Sequence, residues 1–309
     1  MSGDERSRLQ RIKPNLECRA KIVELTRAFF REQGFLEIDT PIRMPAVAPE
    51  SEIVPFDSEG WLLTTSPELH MKRLLAAGYD KLFQLSHCFR KGEQGRQHNP
   101  EFTLLEWYRV GADYLTMISD TEQLVLAIVS GLGKSPVINY KDKAINLALP
   151  WHRITVCDAF MAAAGWDPLV ELSPVRFDVD LVTKVIPSFP FNQPTLLLDY
   201  PAAMASLARL KQNNPSVAER AEVFIGGLEL ANAYSELTDA IEQEGRFQEE
   251  REKIAKDKRR KATMPVKFLE AMPYLPVCAG IALGMDRLVM LFCNADSVAE
   301  VMPFTEDTV

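Results

Sequence analysis

The chain is poor in the residues that build metal centres and disulfide frameworks. Its 309 residues include five cysteines and four histidines. The cysteines, at 18, 88, 157, 278 and 293, are odd in number and contain no C-x-x-C pair, and the histidines at 70, 87, 98 and 152 show no ligand spacing. This argues against a disulfide scaffold and a structural zinc site. Long apolar runs are also missing. The stretches 124–129 and 196–198 fall far short of the roughly 18 to 20 residues that span a bilayer. The N-terminus, Met1-Ser2-Gly3-Asp4-Glu5-Arg6, has no apolar core leading to a cleavage site, so no membrane association and a cytoplasmic location are expected. Positive charge is in deficit, with 35 Lys and Arg against 43 Asp and Glu, a net −8. The molecule as a whole therefore cannot hold nucleic acid by counterion release. The phosphate-loop pattern G-x-x-x-x-G-K-[ST] and the dinucleotide pattern G-x-G-x-x-G are both absent.

What is present is ordinary globular composition, 47% hydrophobic and 25% charged, with length for one large domain or two modest ones. Apolar spacing predicts a helix over 15–33 stopped by Gly34, a strand over 35–38 ended by Pro41, and another over 61–65. A helix over 67–77 follows, with Ser66 as N-cap and Pro67 at its first position. Residues 81–90 and 102–109 read as two strands joined by a long charged loop, the kind of loop that handles a ligand. Helices are expected over 114–130, 156–164 and 239–261, and a strand pair at 222–225 and 228–230 turns at Gly226-Gly227. A glycine-bearing strand over 280–284 feeds a last helix. The stretch 135–217 is punctuated by prolines and carries no motif. Cys88 sits next to His87, but neighbours on a strand point to opposite faces, so Cys88 reads as packing rather than as a thiol nucleophile.

Three clusters carry chemistry. Arg90, Lys91, Arg96 and His98 crowd a loop containing Gly92 and Gly95. Planar donors there could grip a phosphate chain, and a solvated charged loop is the plain alternative. Glu222, Glu229 and Glu236 lie seven and seven residues apart, with Asn232 between them. Beside a polyphosphate they make sense as holders of Mg2+, and otherwise as carboxylates on a wet strand face. In Gly284-Met285-Asp286-Arg287, small residues permit close approach and an arginine begins a helix.

Together these stretches resemble the catalytic core of class II aminoacyl-tRNA synthetases, in particular the lysyl subgroup, over nearly the whole chain. Gly34-Phe35-Leu36-Glu37-Ile38-Asp39-Thr40-Pro41 looks like motif 1. Phe89-Arg90 followed by His98-Asn99-Pro100-Glu101-Phe102 and Glu106-Trp107-Tyr108 looks like motif 2, and 280–287 like motif 3. Thr65-Ser66-Pro67-Glu68 and residues 229–237 lie between them in order.

The resemblance implies an α+β fold, an antiparallel sheet flanked by helices, as a single catalytic domain over 1–309 with an insertion at 135–217. It implies ATP and Mg2+, an aminoacyl-adenylate intermediate, a ligase activity and a homodimer. Arg90 would meet the α-phosphate and Arg287 the γ-phosphate. Glu222 and Glu229 would hold Mg2+. Asn99 and Phe102 would frame adenine, with Lys91, Gly92, Glu93, His98, Leu230 and Gly284 completing the ATP site. Ser66, Pro67, Glu68, Glu106, Tyr108, Asn232, Tyr234, Glu236 and Ala282 would line the amino-acid pocket, where carboxylates offset the desolvation of a lysine ammonium.

Two departures from the family pattern matter. Motif 2 reads Arg90-Lys91-Gly92-Glu93 where the family has Arg-x-Glu, so either Glu93 shifts inward, as Gly92 permits, or the backbone reads adenine. Motif 3 has Ala282 in place of the middle glycine, and the chain begins about 14 residues before the motif 1 helix, too few for an anticodon-binding OB domain. Both features resemble a stand-alone branch of the lysyl group that attaches (R)-β-lysine to a lysine of elongation factor P. The extra methyl of Ala282 would crowd an α-amine and suit one a carbon further along. tRNA is not the expected partner. The alternatives are a truncated synthetase charging tRNA with lysine and a non-catalytic paralogue sensing lysine or nucleotide. The mixed-charge run 251–267 could guide an acidic partner, although a solvated helix face is the simpler reading.

Overall fold

A computed structural model describes residues 3–171, 173–257 and 262–309. Lys258, Arg259, Arg260 and Lys261, the centre of the charged run, lie outside the described residues. The chain divides into two compact units, one of Met1–Gly111, Thr238–Cys278 and Ala282–Val309, the other of Ala112–Leu237 with Ala279–Ile281. The stretch 135–217 falls wholly in the second unit. No helix of the described residues is long and apolar enough to cross a membrane.

The first unit opens with the helix Gly3–Glu32, which starts twelve residues before the apolar periodicity does. Its early polar turns, Pro14 included, are held by tertiary bonds: Arg8 donates to the Pro303 carbonyl at 2.7 Å and Asn15 to that of Glu300 at 3.0 Å. The strand Leu36–Glu37 runs parallel to Lys81–Phe89, which pairs antiparallel with Glu101–Val110. Cross-strand register separates two faces. Phe83 opposite Trp107 stacks on Phe30 of the long helix, with ring centroids 4.7 Å apart, and so forms the core face. Gln84, Ser86 and Cys88 opposite Glu106, Leu104 and Phe102 form the other. Trp61–Leu63 does not enter this sheet. It pairs with Arg43–Met44 and Asp57–Ser58 in a small sheet of its own.

The helix Glu68–Ala76 starts one residue later than expected, with Pro67 rather than Ser66 at the N-cap, although Ser66 Oγ still accepts from the Glu68 N–H at 3.0 Å. Asp239 caps Ala240–Ala255 through the N–H groups of Ile241 and Glu242. The strand Cys278–Gly284 runs directly into the helix Met285–Cys293.

In the second unit, Leu228–Ser235, Asn214–Ile225 and Thr195–Pro201 are antiparallel neighbours, and His152–Thr155 adds in parallel at the edge. Most pairs in both units are thus antiparallel, with a parallel outer strand in each. The stretch that reads as uneven in sequence holds five of the unit's strands and a core of Val156, Phe160, Trp166, Phe177, Leu197 and Tyr200. Its one expected helix is Val156–Ala164, capped by Thr155 and ended by left-handed Gly165.

Candidate active site

In the first unit the cationic groups converge on the loop between the paired strands. The Arg90 guanidinium lies over the Phe102 ring, 5.1 Å from its centroid, and Arg90 Nε donates to the Thr65 carbonyl at 3.4 Å. Arg287 reaches the same loop from the start of its helix: its Nη2 is 2.6 Å from His98 Nε2 and its Nε donates to the Gln97 carbonyl at 3.3 Å. A guanidinium can only donate, so His98 accepts through Nε2 and is neutral. Desolvation, then the Arg287 cation, hold it below the ordinary histidine range. Gly284 lies against Arg287, whose Cδ would make an ordinary contact of 3.7 Å with a Cβ built there, so close approach does not demand glycine at this position. Gly92 takes a left-handed φ of +86°, and the Glu93 carboxylate then comes within 3.8 Å of Arg90 Nη1. Glu93 therefore points back toward the loop's cations. Asn99 is spent on the protein itself, donating to the Glu101 carbonyl at 2.7 Å and accepting from the Glu306 N–H at 3.1 Å.

Beyond Arg90, toward the far end of the same strands, is a buried acidic group. Glu106, 1% exposed, accepts from Ser66 Oγ at 2.6 Å and from the Tyr108 hydroxyl at 3.0 Å. Burial, then the Glu68 carboxylate, push its pKa up to about 7 against those two hydrogen bonds and the Arg90 charge. Glu68 itself is bound by Lys72, one helical turn on and 1% exposed, which sequence reading passes over. Spacing of four residues on a helix was the signal for that pair. Cys88 is fully buried with its thiol raised to about 12, and His87 on the opposite face is exposed beside Glu101.

A second missed group supports motif 3. Asp286 forms an ion pair of 2.6 Å with Arg19 of the long helix and accepts from the Thr103 N–H at 2.8 Å, while Arg19 also reaches Thr103 Oγ1 at 3.0 Å. The residue next to Arg287 is thereby fixed to the long helix and to the second hairpin strand.

The acidic face lies in the second unit. Register pairs Glu222 with Asn232 and Arg220 with Tyr234, so these side chains share a side. Strict alternation from Asn232 would put Glu229 on the other side. A bulge between Val223 and Phe224 moves the register so that Phe224 opposes Glu229, which returns its carboxylate to the face of Glu222. Leu230 is the extra residue. Glu222 is buried and raised in pKa by burial and by Glu229, while Arg220 pulls it back through a 2.7 Å ion pair. The Arg220 guanidinium stacks 4.2 Å from the Tyr200 centroid. Asn232 Nδ2 donates to Glu222 at 3.3 Å. Glu236 is buried, bridged at its backbone to Ala208. Two like charges on one face, all oxygen donors, fit a hard divalent cation. No group of three or more His, Cys, Asp or Glu among the described residues could hold a metal by itself, and Mg2+ ordinarily takes one or two carboxylates plus substrate phosphates. In the strand Cys278–Gly284, Ala282 and Gly284 fall on one face and are half-buried.

Phosphate-seeking arginines on a motif 2-type hairpin and at a motif 3-type helix start define a class II synthetase core. The family of tRNA synthetases class II (D, K and N) matches residues 6–308, and the chain belongs to it. The chain is thus a member of a family of ATP-dependent ligases. Among its relatives are the elongation factor P–(R)-β-lysine ligases of Salmonella schwarzengrund and Salmonella typhi, each 37% identical over 311 and 312 residues respectively and covering 95% of both chains.

Proposed function

We infer that the chain activates lysine or (R)-β-lysine with ATP and transfers it to a lysine side chain of elongation factor P. The observation that carries this reading is the first-unit hairpin, where Arg90 and Arg287 crowd one loop and the buried Glu106 carboxyl lies further along the same strands. Shared family membership and the names of the relatives support the choice of substrate and acceptor.

In the first step a carboxylate oxygen of the amino acid bonds to the α-phosphorus and the bond to the bridging oxygen breaks, releasing pyrophosphate. Arg90 neutralises the α-phosphoryl oxygens and Arg287 the γ-phosphate, charge that moves during the displacement. Phe102 stacks on adenine, and Glu93 reads its amino group. Glu222 and Glu229 would hold Mg2+, which would supply positive charge to offset that of the phosphates. Glu68, Glu106 and Tyr108 of the first unit receive the amino acid; for Asn232, Tyr234 and Glu236 of the second unit the same role rests on the family resemblance alone. In the second step the acceptor's neutral amine attacks the acyl carbon, AMP leaves with the bonding electrons, and the surplus proton passes to solvent. Holding both partners supplies much of the rate without an enzyme nucleophile. We take both units as one catalytic domain, and the protein as a cytoplasmic homodimer.

The test mixes purified protein, ATP, Mg2+, each lysine isomer and elongation factor P, and records the acceptor's intact mass and pyrophosphate exchange. A gain of one lysyl unit on the acceptor is the expected result. Labelled tRNA with an unchanged acceptor would replace it with tRNA charging, and no exchange with any isomer would leave a sensor.

A further inference from the structure

The inner side of the hairpin carries one polar group that the reading above does not use. Gln84 is 1% exposed, sits directly across the strand pair from Glu106, and its Oε1 is buried with no hydrogen-bond partner among the described residues. Side chains directly opposite on antiparallel strands have Cβ atoms about 5 Å apart on the same face. Gln84 thus shares its surroundings with Glu106, Ser66 and Tyr108. A buried carbonyl oxygen left without a donor costs free energy, and a water, an ion or a ligand that donates to it offsets that cost.

Position along the strand says which part of a substrate it meets. Gln84 lies six residues from Arg90, about 20 Å at strand rise, and Glu106 four residues from Phe102, about 13 Å. The phosphate and adenine contacts are at the loop end. Gln84 and Glu106 are at the far end, where the side-chain ammonium of a lysine would lie with its carboxylate toward Arg90. An ammonium has three N–H donors and no acceptor. The Glu106 oxygens and the Gln84 carbonyl offer it acceptors, and the neutral amide does so without adding a third negative charge beside Glu106 and Glu68.

We propose that Gln84 is a specificity-determining residue of the amino-acid pocket, its Oε1 accepting a hydrogen bond from the substrate's side-chain ammonium beside Glu106. This deepens the proposed function and rests on its assignment of the pocket.

The test measures calorimetric binding of L-lysine and (R)-β-lysine without ATP, alongside thermal unfolding of the ligand-free protein, for wild type, Gln84→Met and Gln84→Glu. Gln84→Met keeps the volume and removes the unpaired oxygen. It should weaken binding of the preferred isomer at least tenfold and also raise the unfolding midpoint, by about 2 °C for a chain of this size. A purely structural role would move both quantities in the same direction. Gln84→Glu keeps an acceptor in place but adds the charge the amide avoids, so at pH 7 it should bind more weakly than wild type yet clearly more tightly than Gln84→Met.

A loss under tenfold in Gln84→Met, a lowered midpoint or failure of that variant to fold, or a Gln84→Glu as weak as Gln84→Met, overturns the proposal. Pyrophosphate exchange by wild type separates the two ideas. A wild type that binds lysine without exchange sinks the enzymatic reading and leaves Gln84 to be judged on binding, whereas exchange with unchanged Gln84 variants sinks only the role of Gln84. Binding of neither isomer overturns both.

Discussion

Glu106 makes a quantitative prediction because its carboxyl is buried and is pushed up to about 7 from an ordinary 4.5. Burial is the largest cause and the Glu68 carboxylate the next, while Ser66, Tyr108 and Arg90 oppose them. The folded state favours the protonated acid, so the stability this group contributes is fully present below pH 4.5 and is lost as pH rises through 7. At about 1.4 kcal/mol per pH unit, the loss is on the order of 3 kcal/mol. Glu106→Gln has no charge to bury. At pH 8 it should be more stable than wild type in urea by about 2 kcal/mol, allowing about 1 kcal/mol for the two rearranged hydrogen bonds, with little difference at pH 5. Substrate binding should show the complementary dependence. An ammonium needs the ionised form, so lysine affinity should fall about tenfold per unit below pH 7, and binding at pH 6 should release about 0.9 proton. Calorimetry at pH 6 and pH 8, each in two buffers of different ionisation enthalpy, measures that release directly. An affinity flat from pH 5.5 to 8, proton uptake on binding, or a Glu106→Gln variant less stable at pH 8 would refute the reasoning.

Arg90→Ala and Arg287→Ala should each lower pyrophosphate exchange by about 100-fold or more, and Arg→Lys at either position should recover little, because a point charge cannot reproduce the planar fork. Exchange kinetics over a range of ATP concentrations check this, and near-wild-type rates in either lysine variant would count against the phosphate assignment. Cys88, buried with its thiol at about 12, should resist iodoacetamide at pH 8 in the native protein while remaining replaceable by alanine with exchange within twofold. Peptide mass mapping reads the first and kinetics the second. Asp286→Ala strands the Arg19 guanidinium and the Thr103 N–H and should cost about 3 kcal/mol in urea denaturation, as breaking a buried pair does. A cost under about 1 kcal/mol would mean the pair is ornamental.

These side chains differ in how far the sequence exposes them, and the difference follows from range. Thr155 and Asp239 cap the helices after them because a cap acts within three residues, and Gly226-Gly227 marks a turn because both glycines take positive φ. Arg90, Arg287 and Glu106 are legible through motifs. His152–Thr155 and Thr195–Pro201 are not, because their pairing partners lie far along the chain and neither strand alternates polar with apolar residues. The placement of Glu229 is hidden for another reason. Residue parity assigns it to the side away from Asn232, and only the bulge at Leu230 restores it to Glu222. Lys72 and Gln84 are hidden because apolar periodicity treats a polar residue at a buried position as a break in the pattern. In both cases the break is the information. A buried cation is tolerable only with a carboxylate such as Glu68 beside it, and a buried carbonyl without a donor carries a free-energy cost that a ligand or a water can offset. On the reading proposed above, polar residues buried on the hairpin face away from Phe30 would mark the pocket more sharply than the exposed charges of the loop between the strands.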